Sequence, residues 1–267
     1  MTSPDFGELR AGITAKPACC VLQNLVPKMA RFPYRSAARP LRLAGLQMSG
    51  FSTARQKMVD GQVRTSDVTD HRILDAMLAL PRENFVPESK RALAYLDLDL
   101  DVAEGGVKRY LVKPVLTAKL LQAAELTDSA NVLIVGAATG YAAAVAARLA
   151  GKVTATESDS VLCHRAREIL AGLGLSNVMF KTAEAAAGDP SGAPYDAIVL
   201  NGATEIMPAT LCGQLREGGR LLGVFAVSQP SRAMIVTRSH GDLGHRTLFD
   251  AAAPVLPGLE RVTAFVF

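Results

Sequence analysis

The sequence has little of what several functional classes need. It contains no tryptophan and only 5% aromatic residues, so a stacking surface for single-stranded nucleic acid is not indicated. No apolar run reaches the roughly 18 residues of a membrane-spanning helix. The four cysteines include no C-x-x-C pair, which argues against a zinc site and a disulfide framework. We therefore expect a cytoplasmic monomer without a metal, a nucleic-acid partner or a membrane partner.

The excess of positive charge is confined to the first 47 residues. They hold seven basic residues and two acids, whereas the rest of the chain carries a net charge of −1. The main body therefore has no basic bias towards nucleic acid or anionic membranes. An arginine-rich, acid-poor start is typical of a transit peptide. Because residues 1–47 also lack hydrophobic periodicity, we favour a disordered extension, with the body of the protein beginning near Met48.

Short apolar segments alternate with helical ones in the second half of the chain. Strands are predicted at 131–135, 152–156, 178–181, 197–200 and 220–225, and helices at 141–149, 162–170 and 208–215. This alternation indicates an α/β, Rossmann-like fold, with a mostly parallel sheet and helices on both faces. Two further strands are predicted at 233–237 and 262–267.

A smaller helical region precedes the sheet. One helix begins near Ser52, a second runs from its N-cap Asp70 to Pro81, and a third spans 116–125. Residues 81–113 are predicted to be irregular.

A glycine-rich turn follows the first strand of the sheet. It spans Gly136 to Gly140, between a strand and a helix, where small residues let the backbone approach a ligand closely. The start of the helix also offers free N–H groups. Glu157 follows Gly136 by 21 residues, at the end of the next strand. At this spacing a carboxylate accepts hydrogen bonds from ribose hydroxyls.

We favour a ligand site here over a purely structural turn in which the glycines only permit tight packing. NAD is the main rival ligand. The full G-x-G-x-x-G pattern is absent, however, because Ala138 stands at the middle glycine position. A Tyr-x-x-x-Lys pair of the kind used by NAD-dependent oxidoreductases is also lacking.

Residues 72–87, RILDAMLALPRENFVP, resemble the opening signature of the protein-L-isoaspartate O-methyltransferases. The similarity continues through Ala94-Tyr95 and the acid-rich segment after it, and then through the glycine-rich turn, covering roughly residues 53–225. It implies an S-adenosylmethionine-dependent enzyme that methyl-esterifies the carboxylate of isoaspartyl residues in damaged proteins. It also implies a substrate-side region at 48–113 and a cofactor-binding domain at 114–267.

By this resemblance, five residues are expected to bind S-adenosylmethionine. Gly136, Ala138 and Gly140 would line the cofactor, Glu157 would bind its ribose, and Glu184 would lie near the adenine.

The sequence departs from the family pattern at two places. The family has a serine, implicated in substrate handling, in a segment before the core, and alignment on Pro114 places Val112 there. Just before the turn, Ile134 stands where the family has an acid, and within it Ala137-Ala138 replace a pair richer in glycine and threonine. The catalytic residue is therefore not assigned. A methyltransferase acting on another acceptor, or a degenerate protein that only binds the cofactor, remains an alternative.

Four residues are candidates for contact with the substrate. Arg109 and Lys113 have the charge to hold a carboxylate, arginine in bidentate fashion, although we favour a solvated basic face. Tyr110 has a hydroxyl that can replace the missing serine, although here we favour simple packing. Asn201 either approaches the reacting centre or caps the turn at Gly202.

Other polar residues are predicted to have no catalytic role. The alternating acids Asp97, Asp99 and Asp101 either bind a cation or form a solvated loop, which we favour. The histidines are expected at the surface, and Cys163 and Cys212 in the core.

Overall fold

The computed structural model describes residues 43–262, with side chains from Gly50 onward. The predicted N-terminal extension lies outside this range, apart from its last residues, and so does the strand predicted at 262–267, apart from Val262. Helix α1 (Leu43–Met58) begins five residues before the predicted start of the body at Met48 and continues into a π-helical turn, Val59–Val63. No helix in the described range is long and apolar enough to cross a membrane.

The region before the sheet is helical with one small hairpin. Helix α2 (His71–Ala79) begins as predicted at Asp70, whose carboxylate accepts the Arg72 N–H at 2.9 Å. Two-residue strands β1 (Leu100–Asp101) and β2 (Tyr110–Leu111) pair in antiparallel fashion within the segment predicted to be irregular. Helix α3 (Pro114–Ala124) then begins with proline at its first position, where the missing N–H costs nothing.

Two of the three alternating acids, Asp97 and Asp99, accept backbone hydrogen bonds at the start of α3, and Asp97 is exposed, as expected for a solvated loop. Asp99 accepts the Lys113 N–H at 2.8 Å, and Asp97 accepts the Val115 N–H at 3.1 Å. Asp101 accepts the Ala103 N–H at 3.1 Å. The carboxylates of Asp97 and Asp99 therefore satisfy N–H groups that the first turn of a helix leaves free.

A seven-stranded sheet forms the centre of the molecule. Its strands, in chain order, are β3 (Asn131–Val135), β4 (Lys152–Glu157), β5 (Val178–Thr182), β6 (Tyr195–Thr204), β7 (Leu215–Phe225), β8 (Arg232–Ser239) and β9 (Asp242–Asp250). Their order across the sheet is β5-β4-β3-β6-β7-β8-β9. The first five are parallel, whereas β8 and β9 are antiparallel additions. The predicted mostly parallel Rossmann-like sheet is confirmed.

The connecting helices are α4 (Tyr141–Ala147), α5 (Ser160–Gly172) and α6 (Ala209–Cys212). Every residue of the alanine-rich α4 is buried, because its small side chains let the helix lie close to the sheet. The helix predicted at 208–215 is only four residues long. Strand β9 was not predicted, because it is an edge strand whose residues are mostly exposed and lack an apolar alternation.

Alternate residues of the central strands pack into two separate cores. Val132 and Ile134 belong to the core that contains residues of α2 to α5. Leu133 and Val135 belong to the other core, together with Leu211 and Cys212 of α6 and with Leu256 and Leu259. The second face of the sheet is therefore covered partly by a short helix and partly by the segment after β9.

Candidate functional site

The glycine-rich turn joins β3 to α4 at the carboxyl edge of the sheet. Gly136, Ala138 and Gly140 have φ angles of 70°, 50° and 94°. This left-handed conformation suits glycine, whereas an alanine there is strained by about 1–2 kcal/mol. The strained Ala138 is held in place by its N–H, which donates to Glu157 Oε2 at 2.7 Å. The turn therefore keeps a left-handed conformation at position 138, although alanine stands there in place of glycine.

Further contacts fix the turn at both ends. The Ala137 N–H donates to the Thr156 carbonyl at 2.9 Å, and Thr139 Oγ1 donates to the Phe85 carbonyl at 2.6 Å. A methyl group placed on Gly140 would lie 2.9 Å from the ring of Phe180. Close packing therefore requires glycine at position 140, which is the structural role that we considered as the alternative to ligand binding.

Glu157 lies at the end of β4, fully buried, and its carboxylate is saturated by protein donors. Arg109 Nε lies 2.8 Å from Oε1, and Arg109 Nη2 lies 2.6 Å from Oε2. The N–H groups of Ala138 and Asp159 donate to the same two oxygens, at 2.7 and 3.1 Å. A carboxylate offers about four acceptor positions, so the residue predicted to bind ribose has none left in this structure.

Arg109 reaches Glu157 from the hairpin formed by β1 and β2. Its carbonyl accepts the Val102 N–H at 2.7 Å, and the residue is only 4% exposed. The interpretation of Arg109 as part of a solvated basic face is therefore wrong, because its charge is buried against a carboxylate of the same chain. Lys108 is exposed and Lys113 is half-buried.

The segment after β9 covers the other side of the turn. Ala203 of β6 accepts the Leu256 N–H at 2.9 Å and donates to the Pro254 carbonyl at 2.8 Å. The side chain of Leu256 lies over two glycines: a methyl group on Gly202 would be 2.8 Å from its Cδ2, and one on Gly136 would clash with the same atom. Nothing in the sequence pattern around Leu256 indicated this position.

Asn201 lies in an irregular part of β6, between its pairings with β7 at Val199 and at Ala203. It is buried, and its Nδ2 donates to the Gly136 carbonyl at 2.9 Å. The structure thus brings Asn201 against the turn.

A cavity of about 10 Å³ remains between these groups, a volume on the scale of a single water molecule. Tyr110, Val112, Gly136, Asn201 and Leu256 are among the residues that line it. Tyr110 is half-buried.

The other predicted site residues lie apart from this cavity. Glu184 is exposed beyond the end of β5. The backbone of Lys113 starts α3. The described residues contain no group of three or more histidine, cysteine, aspartate or glutamate side chains arranged to hold a metal ion. As predicted, all four histidines are exposed, and Cys163 and Cys212 are buried.

Arg82 is a buried cation next to the site that the sequence pattern did not single out. Its Nε donates to the Ala94 carbonyl at 2.8 Å, and its Nη2 donates to the Val112 carbonyl at 2.7 Å. Its guanidinium lies 4.5 Å from the ring centre of Tyr141. Burial lowers the pKa of Arg82, and the electrostatic interaction with the Tyr141 hydroxyl offsets this only in part. The contact with Val112 fixes the backbone at the position where alignment on Pro114 predicts the family's serine.

Comparison with known proteins identifies the family. The family model described as protein-L-isoaspartate(D-aspartate) O-methyltransferase matches residues 53–247. The chain belongs to this family. A protein-L-isoaspartate O-methyltransferase 1 of Rhodopseudomonas palustris (strain HaA2) is 37% identical over 195 residues, which cover 73% of this chain and 78% of the relative.

Solved structures agree with this assignment. A protein-L-isoaspartate O-methyltransferase superposes with a TM-score of 0.68 at 27% identity, covering 77% of this chain and 67% of that one. A Plasmodium falciparum protein, solved in complex with S-adenosyl-L-homocysteine, has a TM-score of 0.64 at 17% identity and covers 76% and 97%. The predicted family, enzyme class and S-adenosylmethionine-dependent methyltransferase fold are confirmed.

The cofactor of this family does not fit the site as these side chains are arranged. The turn, Glu157 and Asn201 have the hydrogen-bonding chemistry that a nucleoside requires. Arg109 nevertheless takes both oxygens of Glu157, Leu256 covers Gly136, and the space left is about 10 Å³. A nucleoside needs a volume many times larger than that of one water molecule.

Proposed function

We propose that this protein methyl-esterifies the free carboxylate of isoaspartyl residues in damaged proteins, with S-adenosylmethionine as the methyl donor. The observation that carries the proposal is the family match across residues 53–247. The methyltransferase sheet and the turn at its carboxyl edge support it. A carboxylate acceptor is already ionised at neutral pH, so no catalytic base is required.

On the substrate side, we propose that Tyr110 contacts the acceptor. It lines the cavity beside Gly136 and Asn201, and it precedes the buried Val112 by two residues. Lys108 and Lys113 supply positive charge to the same stretch of chain, which suits an acceptor that is an ionised carboxylate. We propose a cytoplasmic monomer, and residues 48–113 as the side from which a protein substrate approaches.

A second candidate function is a protein of this fold that has lost turnover. The filled site around Glu157 and the valine at position 112 favour it, because neither a free ribose acceptor nor the family's serine hydroxyl is present. A methyltransferase with another acceptor is favoured by Val112 alone.

Paired peptides test the proposal. The full chain is incubated with methyl-labelled S-adenosylmethionine and two peptides that differ only in an isoaspartyl or an aspartyl linkage. We expect label in the isoaspartyl peptide alone, as an ester that releases methanol in alkali. The folded Gly136→Arg variant, which fills the site permanently, should transfer none. Absence of label from both peptides would favour the second candidate.

A further inference from the structure

Two side chains from distant parts of the sequence fill the site at the carboxyl ends of β3 and β6. Arg109 binds both oxygens of Glu157, and Leu256 lies over Gly136 and Gly202. Arg109 Nη2 would also lie 3.3 Å from a methyl group on Gly136, so the two side chains meet at the same turn. In an open parallel sheet, this edge is where ligands bind.

We propose that Arg109 and Leu256 form a built-in closure of the cofactor site, and that S-adenosylmethionine binds only after both side chains have left it. This inference rests on the proposed function and concerns the regulation of the same site. The affinity for the cofactor is then set partly by the free energy needed to open the closure. If the open state is only a small fraction of the population, the apparent association constant for the cofactor equals the intrinsic constant multiplied by that fraction.

Arg109 competes directly with a ribose. The guanidinium is a planar, charged fork that matches the two carboxylate oxygens, whereas ribose hydroxyls are neutral donors. The pair is also shielded from water, with side-chain exposures of 5% for Arg109 and 0% for Glu157. Arg109 therefore has to leave Glu157 before this carboxylate can accept hydrogen bonds from ribose hydroxyls.

Leu256 is held in place by backbone pairing. Strand β3 pairs with β6 as far as Val135 and Leu200. Beyond that point, β6 pairs with the last segment instead, through a parallel bridge between Ala203 and Val255. The segment thus occupies the space past the end of β3, and it places the Leu256 side chain over the glycines of the turn.

The parts that move when the closure opens lie outside the seven strands, although a backbone shift of the segment around Leu256 gives up its hydrogen bonds to Ala203 of β6. Arg109 belongs to a hairpin whose turn, residues 104–108, is exposed and contains Gly105 and Gly106 at positive φ. The turn is linked to α5 by an ion pair in which Arg165 Nη1 lies 2.7 Å from Glu104 Oε1, with Glu104 64% exposed. Only the hairpin and the segment around Leu256 have to move.

Calorimetric binding of S-adenosyl-L-homocysteine to the full chain tests this closure. The variants are Leu256→Ala, which uncovers the glycines, and Arg109→Gln, which removes the charge that competes for Glu157. We expect each variant to bind about tenfold or more tightly than the wild type. In the absence of ligand, each should also unfold at a lower temperature, because a closing contact is lost. Leu211→Ala is the matched control, since it removes a buried leucine of the same core away from the turn.

Opposite changes in affinity and stability identify a closure. A purely structural role would lower the unfolding temperature of all three variants without tightening ligand binding. Folded Leu256→Ala and Arg109→Gln proteins that bind no more tightly than the wild type would therefore overturn the inference. If the wild type nevertheless methylates the isoaspartyl peptide, the proposed function stands alone. If the variants bind more tightly but methylate neither peptide, the closure stands and the proposed function fails.

Discussion

The guanidinium of Arg109 and the carboxylate of Glu157 form a bidentate ion pair at 2.8 and 2.6 Å, nearly sealed from water. The two residues are 48 positions apart, one in a hairpin and the other at the end of a central strand. The pair therefore joins the region before the sheet to the sheet itself. It also occupies the Glu157 carboxylate, which the family resemblance predicts to bind the ribose of the cofactor.

A double-mutant cycle measures this ion pair. Arg109→Met leaves Glu157 buried without a cation, and Glu157→Gln leaves Arg109 buried without an anion. We expect each change to lower the free energy of unfolding by about 3–5 kcal/mol. The double variant should lose less than the sum, because it buries no isolated charge. Urea denaturation of the four proteins gives the coupling. If the losses of the two single variants were additive and each below about 1 kcal/mol, the ion pair would contribute little to stability, as solvent-screened pairs do.

A pH-dependent contribution to stability is expected from Asp189. Burial alone would raise its pKa, but hydrogen bonds from Lys181, Ser191 and Tyr195 outweigh burial and lower the pKa to about 2. Because the folded pKa lies below the unfolded value of 3.8, the ionised carboxylate stabilises the fold above about pH 4. This stabilisation is lost as the pH falls through about 2.

Asp189→Asn should therefore cost about 1–2 kcal/mol at pH 7, and the cost should shrink below about pH 4. Urea denaturation of both proteins between pH 7 and pH 3 measures the difference. Asp128→Asn, at a carboxylate that is 96% exposed, controls for the loss of one surface charge. A loss of stability in Asp189→Asn that does not change with pH would contradict the lowered pKa of Asp189.

The first turn of α3 depends on a carboxylate outside the helix. Its N-cap Lys113 makes no side-chain cap, and Asp99 accepts that residue's N–H instead. We expect Asp99→Ala to lower the free energy of unfolding by about 1 kcal/mol. Asp99→Asn keeps an acceptor oxygen and should lose clearly less. Equal losses in the two variants, measured by urea denaturation, would show that charge rather than the hydrogen bond matters.

The sheet and the turn could be predicted from the sequence because both have local signals. Strands β3 and β6 are buried on both faces and contain charge-free apolar runs, and Gly136 begins the turn directly after β3. Edge strand β9 lacks such a signal, since most of its side chains are exposed. Its only partner strand in the described sheet is β8.

The contents of the site could not be predicted in the same way. The spacing of Glu157 from Gly136 correctly placed a carboxylate beside the turn. Its partner Arg109 is selected by tertiary packing between a hairpin and β4, for which no local pattern exists. Leu256 is likewise positioned by pairing with Ala203, more than fifty residues earlier in the chain. Sequence patterns locate a ligand edge but do not report which of the protein's own side chains occupy it.

The hydroxyl of Tyr110 is expected to act on the substrate rather than on the fold. Tyr110 lines the small cavity and is half-buried. In Tyr110→Phe, the KM for the isoaspartyl peptide should rise about tenfold, the loss expected when one hydrogen bond to a carboxylate is removed. The kcat and the unfolding temperature should change little. Phe51→Leu is the control, because Phe51 contacts Tyr95 in a tilted arrangement and is not among the residues that line the cavity. Its KM should equal that of the wild type. An unchanged KM in Tyr110→Phe would remove this hydroxyl from substrate binding. A lower kcat at constant KM would instead place the hydroxyl in the transfer step, where it stabilises the transition state but not the bound substrate.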